Sequence, residues 1–193
     1  MAPRSFLTAA VLAAWLVLPA SALRAADCYS ADGDSGELNF RGEAEGAPFS
    51  GFFEDFEVSI CLQDSDLTTA EIEVRVATGS ATVGNRQGDE ALRGDDLLAP
   101  ERFPEAVWTS TAIAAADDGY RAEGELSLRG VSAEQTVRLS LEDVDGDRWL
   151  SGNAEILRLD YDVGIGEFEE TDFIRNRVDL RFDLQLHPIT GDQ

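Results

Sequence analysis

Residues 120–141 run Tyr120-Arg121-Ala122-Glu123-Gly124-Glu125-Leu126-Ser127-Leu128-Arg129-Gly130-Val131-Ser132-Ala133-Glu134-Gln135-Thr136-Val137-Arg138-Leu139-Ser140-Leu141, and the fold is decided here. Leu126 and Leu128 alternate with Glu125, Ser127 and Arg129, and Val137, Leu139 and Leu141 repeat the pattern. A period of two with charge in between describes extended strands, each with one face buried and the other wet.

The alternation spreads in both directions. Upstream it takes in Leu38 and Phe40, then Phe53, Phe56, Val58, Ile60 and Leu62, then Ile72, Val74 and Val76. Downstream it returns at Leu180, Phe182, Leu184 and Leu186. Glu45-Gly46-Ala47-Pro48, Asp117-Asp118-Gly119 and Asp145-Gly146-Asp147 supply turn chemistry between runs. Links this short make neighbouring strands antiparallel. One stretch lacks alternation: residues 85–98, with Ala91, Leu92, Leu97 and Leu98 among charges, read as a crossover holding a short helix that ends before Pro100. Pro104 then introduces a strand from Ala106 to Ser110. The expected class is all-β, a sandwich or an up-and-down barrel.

Composition narrows the partners. With 38 acidic residues against 15 basic ones, all of them Arg, the formal charge is −23. Such a surface repels phosphate backbones and anionic headgroups, which argues against nucleic acid and against stable membrane insertion. The N-terminus reads as a secretory leader: Arg4, an apolar run from Phe6 to Leu18, then small residues through Ala22. Cleavage is expected after Ala22, or alternatively after Ala26, leaving one exported domain over 27–190. Export permits a disulfide, so Cys28 and Cys61 are expected to bridge. A redox or metal pair is the alternative, but no Cys-x-x-Cys exists and His187 is the single histidine.

Five segments together resemble one family. Gly46-Ala47-Pro48-Phe49-Ser50-Gly51-Phe52-Phe53-Glu54-Asp55-Phe56 is similar to an early Gly-x-Phe-x-x-Phe strand. Gly84-Asn85 with Asp89, Leu92 and Asp96 resembles a crossover, and Arg102 to Ser110 the entry to the next strand. Tyr120 to Val131 and Ile156 to Gly166 match two late signatures. In this order, from about Ser35 to Leu186, they resemble the YceI-like family of polyisoprenoid-binding proteins of the bacterial periplasm, which implies a periplasmic location. Departures fall at Gly88, at Leu97-Leu98-Ala99 and in the opening Cys28-Tyr29-Ser30-Ala31-Asp32, where the family usually has other residues.

The resemblance implies an extended lipocalin-like antiparallel β-barrel of about eight strands with a long internal channel. It implies a non-catalytic carrier of a polyisoprenoid, a quinone tail or another lipid, and it allows a homodimer. No cofactor is implied. Alternation puts Phe40, Phe53, Phe56, Val58, Ile60, Ile72, Val74, Trp108, Leu126, Leu128, Leu139, Ile156, Leu180, Phe182 and Leu184 on the inner wall as candidate ligand contacts. In any barrel such residues also make core. Arg158 continues the register of Ala154 and Ile156, so it is expected inside, bound to a ligand headgroup or to a nearby Asp. Asp143-Val144-Asp145-Gly146-Asp147 resembles part of a calcium loop but reads as a turn, and no Ser-His-Asp arrangement is visible. The competing readings are a barrel filled by its own side chains and a lipid-active enzyme.

Overall fold

The chain reverses direction through turns only two residues long. Glu45-Gly46, Asp64-Ser65, Arg129-Gly130 and Asp145-Gly146 carry positive φ at both positions. That geometry matches the twist of a hairpin and keeps the flanking strands paired. The computed structural model describes residues 26–189; the expected leader and the expected cleavage after Ala22 lie outside them.

Three strands are bent and broken in two. They are β1 (Asp27–Asp32) with β2 (Gly36–Ala44), β3 (Ala47–Phe53) with β4 (Phe56–Gln63), and β5 (Asp66–Ala77) with β6 (Ala81–Thr82). The halves keep company: β1 pairs with β4 and β2 with β3, while β4 pairs with β5 and β3 with β6. At the first bend Asp32 faces Glu57 and Leu38 faces Phe53, so five residues oppose three and the wall kinks. Five unbroken strands follow: β7 (Glu105–Ala116), β8 (Gly119–Leu128), β9 (Val131–Val144), β10 (Asp147–Leu157) and β11 (Arg177–Pro188). The strand expected from Ala106 to Ser110 is thus more than twice as long. β11 closes the ring on β2 through Leu180↔Phe40 and Phe182↔Leu38, and on β1 through Ser30↔His187. The result is a closed, antiparallel, up-and-down barrel of eight strands.

The expected helix is α1 (Arg86–Leu92), in the connection from β6 to β7. Asn85 starts it by accepting from the Gly88 N–H at 2.9 Å. Asp89 ties it to the barrel by accepting from the Val83 N–H at 2.8 Å and the Thr82 hydroxyl at 3.0 Å. The Cys28–Cys61 bridge is present and joins residues directly opposite in the β1–β4 ladder, with Cα atoms 4.1 Å apart. Among the described residues no helix is long and apolar enough to cross a membrane.

Candidate functional site: an apolar cavity inside the barrel

The inward faces fill the two ends of the barrel differently from its middle. Toward the end bounded by the turns at 64–65 and 145–146, Leu62, Leu67, Leu150 and Leu186 are almost wholly buried. Fully burying each such side chain contributes about 1.5–3 kcal/mol. Arg148 closes this end. Its guanidinium lies 5.1 Å from the centre of the Tyr29 ring, donates to the Tyr29 hydroxyl and Ser65 Oγ, and holds both oxygens of Asp143 at 2.8 and 3.1 Å. The Asp143 carboxyl is held below the usual range chiefly by that hydrogen bond. The Asp145-Gly146 segment is therefore a turn, and among the described residues no group of acidic, His or Cys side chains is placed to hold a metal ion.

The opposite end is covered by two connections, the crossover over 83–104 and the loop over 158–176. Leu97, Leu98, Ala99, Tyr161 and Val163 are buried beneath them. Two buried arginines pin these covers without any carboxylate. Arg129, in the β8–β9 turn, donates to the carbonyls of Leu97 and Asp95. Arg158 is 3% exposed. Its Nε donates to the Arg175 carbonyl, Nη1 to those of Val163 and Gly164, and Nη2 to those of Phe168 and Ile174, at 2.7–3.3 Å. Burial lowers its pKa.

This corrects the expectation for Arg158. β10 ends at Leu157, so Arg158 begins a 3-10 turn and points away from the inner wall into the loop. A guanidinium has five N–H donors, and here all five meet main-chain carbonyls. None is left for a headgroup, and no Asp pairs with it.

Between the two ends lies a cavity of about 110 Å³. Eleven of the expected contacts line it: Phe56, Val58, Ile72, Val74, Trp108, Leu126, Leu139, Ile156, Leu180, Phe182 and Leu184. Leu38, Val76, Ala106, Gln135, Val137, Leu150 and Ala154 complete the wall. Four expected residues sit elsewhere. Phe40 and Phe53 pack ring to ring with centroids 5.2 Å apart, Ile60 is fully buried, and Leu128 is half-buried next to the Arg129 turn. Two large rings intrude because glycines make room. A Cβ on Gly124 would meet the Trp108 ring at 2.6 Å, and one on Gly152 the Phe182 ring at 2.4 Å.

Gln135 is the one lining residue with a polar side chain, and its place is structural. The β9–β10 ladder stops at Ala154↔Val137, leaving residues 134–136 and 155–157 facing each other unpaired. The Gln135 amide bridges the two bare edges, donating to the Thr136 carbonyl at 2.9 Å and to the Glu155 carbonyl at 3.0 Å. The Trp108 indole N–H meets the Gln135 carbonyl at 3.2 Å. Main-chain groups facing an apolar interior need such partners.

The sequence profile of the YceI-like domain family matches residues 29–186. The chain belongs to the YceI-like family. Among its YceI-like relatives a UPF0312 protein of Shewanella denitrificans is 30% identical over 174 residues, 88% of this chain and 87% of that one. UPF0312 proteins of Yersinia pestis are 31% identical over 99 residues, so the match spans about half of this chain and half of theirs. The same fold is found in BcnA of Burkholderia cenocepacia, with a TM-score of 0.73 at 20% identity over 79% of this chain and 96% of that one. A polyisoprenoid-binding domain from Saccharophagus degradans, implicated in plant cell wall breakdown, gives 0.62 at 17% identity over 83% and 98%.

Proposed function

We propose that this YceI-like protein is an exported, non-catalytic binder that carries an apolar chain, an isoprenoid or quinone tail, in its barrel. The observation that carries the reading is the cavity itself, enclosed by the closed sheet and walled by hydrocarbon apart from the Gln135 amide. Each CH₂ removed from water there is worth about 0.8 kcal/mol. The polyisoprenoid-binding character of the Saccharophagus domain supports the ligand class, and a Cys28–Cys61 bridge suits an oxidising compartment. The leader before Ala22 and a mature domain over 27–190 fit periplasmic residence. The −23 charge speaks against a nucleic-acid or membrane-surface role. The single histidine, His187, is exposed near the end of β11, away from the cavity lining.

At about 110 Å³ the cavity is comparable to an engineered apolar cavity of roughly 150 Å³ that takes one benzene-sized guest. It therefore receives a short segment as it stands, and a longer tail requires the Trp108 and Phe182 rings to swing aside. That size also favours a second reading, a barrel stabilised by its own side chains with no guest. Organic extraction of protein purified from native cells, followed by mass spectrometry and by uptake of farnesol, decides between them. The carrier reading expects a co-purifying chain lipid and saturable uptake that Val74→Trp, filling the wall, reduces at least tenfold while the barrel still melts cooperatively. Empty protein that takes up no farnesol supports the filled barrel.

A further inference from the structure

Packed side chains and hydrogen-bonded arginines cover both ends of the barrel, while the sheet between them is not continuously paired. Besides the edge of β3, which meets β6 only at Phe52 and Phe53, the wall parts in two places along the longer strands. Between β5 and β7 the ladder runs only from Glu73↔Thr109 to Ala77↔Glu105, but beyond it Leu67 is fully buried and the Ile72 N–H is met by Ser110 Oγ at 2.9 Å. The other parting is the β9–β10 seam. Gln135, Ala154 and Leu180 border the cavity on its inner side and an outer hollow of about 450 Å³ on the other. Among the described residues the Gln135 amide is the side chain that spans it between the two strand edges.

The outer hollow is basic on an otherwise acidic molecule. Arg121, Arg138, Arg177 and Arg181 line it. Arg177 is neutralised by Glu155 at 2.8 Å and Asp179 at 2.7 Å, and Arg121 leans on Glu123 at 3.5 Å. Arg138 and Arg181 have neither an ion pair nor a side-chain hydrogen bond among the described residues, in a chain with 38 carboxylates. Arg138 also stands directly opposite Arg121 in the β8–β9 ladder. Like charges so placed destabilise a sheet, and Arg138 and Arg181 flank Asn153 from either side.

We propose that the β9–β10 seam is a lateral portal and that the guest is an anionic amphiphile. Its chain passes between Gln135 and Ala154 into the cavity, and its phosphate or carboxylate head stays outside on Arg138 and Arg181. Guanidinium groups suit such heads because their paired N–H donors match two oxygens at once. The proposal rests on the reading that the barrel holds an apolar chain, and goes beyond it by naming the charged head and the route.

Binding of farnesyl monophosphate, farnesol and inorganic phosphate to the purified protein at low salt tests it. Farnesyl monophosphate is expected to bind at least tenfold tighter than farnesol. Arg138→Gln with Arg181→Gln should erase that advantage and leave farnesol affinity within twofold, while Arg86→Gln, on the far-off helix α1, changes neither. Gln135→Ala, which unfastens the seam, should speed association several-fold in stopped flow. Equal affinity for farnesol and farnesyl monophosphate overturns the head-group site but leaves the carrier reading standing. Inorganic phosphate binding as tightly as farnesyl monophosphate also overturns it, since the arginines then form a plain anion site. An unchanged association rate in Gln135→Ala overturns the portal. If neither farnesyl compound binds, the carrier reading and this proposal fall together.

Discussion

Arg158 holds the 158–176 loop together from within. Its five N–H groups satisfy five carbonyls of a loop that has little regular structure of its own. Arg158→Met would leave those carbonyls without partners, at about 1–3 kcal/mol for each one that stays buried. A loss of at least about 3 kcal/mol in urea melts is expected, with Arg158→Lys recovering only part, because an ammonium has three donors. A loss below about 1 kcal/mol would show that the loop finds other donors. Asp143 is a residue-scale switch of a different kind. Its folded pKa lies below the unfolded value of about 3.9. Its contribution to stability is therefore fully present above that value and lost as pH falls through the lowered folded one. Melting temperatures followed from pH 6 down to 2 should show a smaller acid-limb drop in Asp143→Asn than in the parent. Parallel limbs would rule out a linkage through the Arg148 pair.

At the scale of elements, the Cys28–Cys61 bridge fastens β1 to β4 across 33 residues of chain. In the chain-entropy picture that is worth about 3–4 kcal/mol. Cys28→Ala with Cys61→Ala should lower the melting temperature by on the order of 10 °C, given roughly 2–4 °C per kcal/mol for a domain of this size. A shift under about 3 °C would mean that the ladder alone fixes β1. The strands themselves were readable from alternation, and Phe56, Val58, Ile72, Val74, Leu180, Phe182 and Leu184 all point inward as that pattern requires. Depth was not readable. Ile60 follows Val58 in the same register yet lies in the packed end, because height along the barrel comes from how eight strands are staggered, which no single strand encodes. Ala154 shares the inward register of Ile156, yet neither it nor Ala106 stands out as a contact, because small residues carry a weak alternation signal; both form wall where Trp108 and Ile156 do. Arg158 misled for the opposite reason: its register was right, but the strand stops one residue earlier, where Asn176 accepts from Leu159 and the loop begins. Gln135 carries an amide where Ala133 and Val137 carry hydrocarbon. Its purpose shows only once β9 and β10 are seen to part.

For the molecule as a whole, charge is the dominant adjustable quantity. Thirty-eight carboxylates against fifteen arginines repel one another across the folded surface, and the repulsion reaches only about 10 Å at 0.1 M salt. Raising sodium chloride from 0.02 to 0.5 M should lift the melting temperature by several degrees. A fall would show that attractive pairs such as Arg177 with Glu155 outweigh the net repulsion. The way the ring shuts has a separate consequence. β11 touches β10 on one side and the β1–β2 strand on the other, so residues 177–188 are the staple between the two extremities of the polypeptide. A chain that emerges with its N-terminus leading remains unzipped until its tail arrives, with two bare strand edges open to wrong partners. Deleting residues 177–193, which removes β11, is expected to abolish the barrel instead of shortening it.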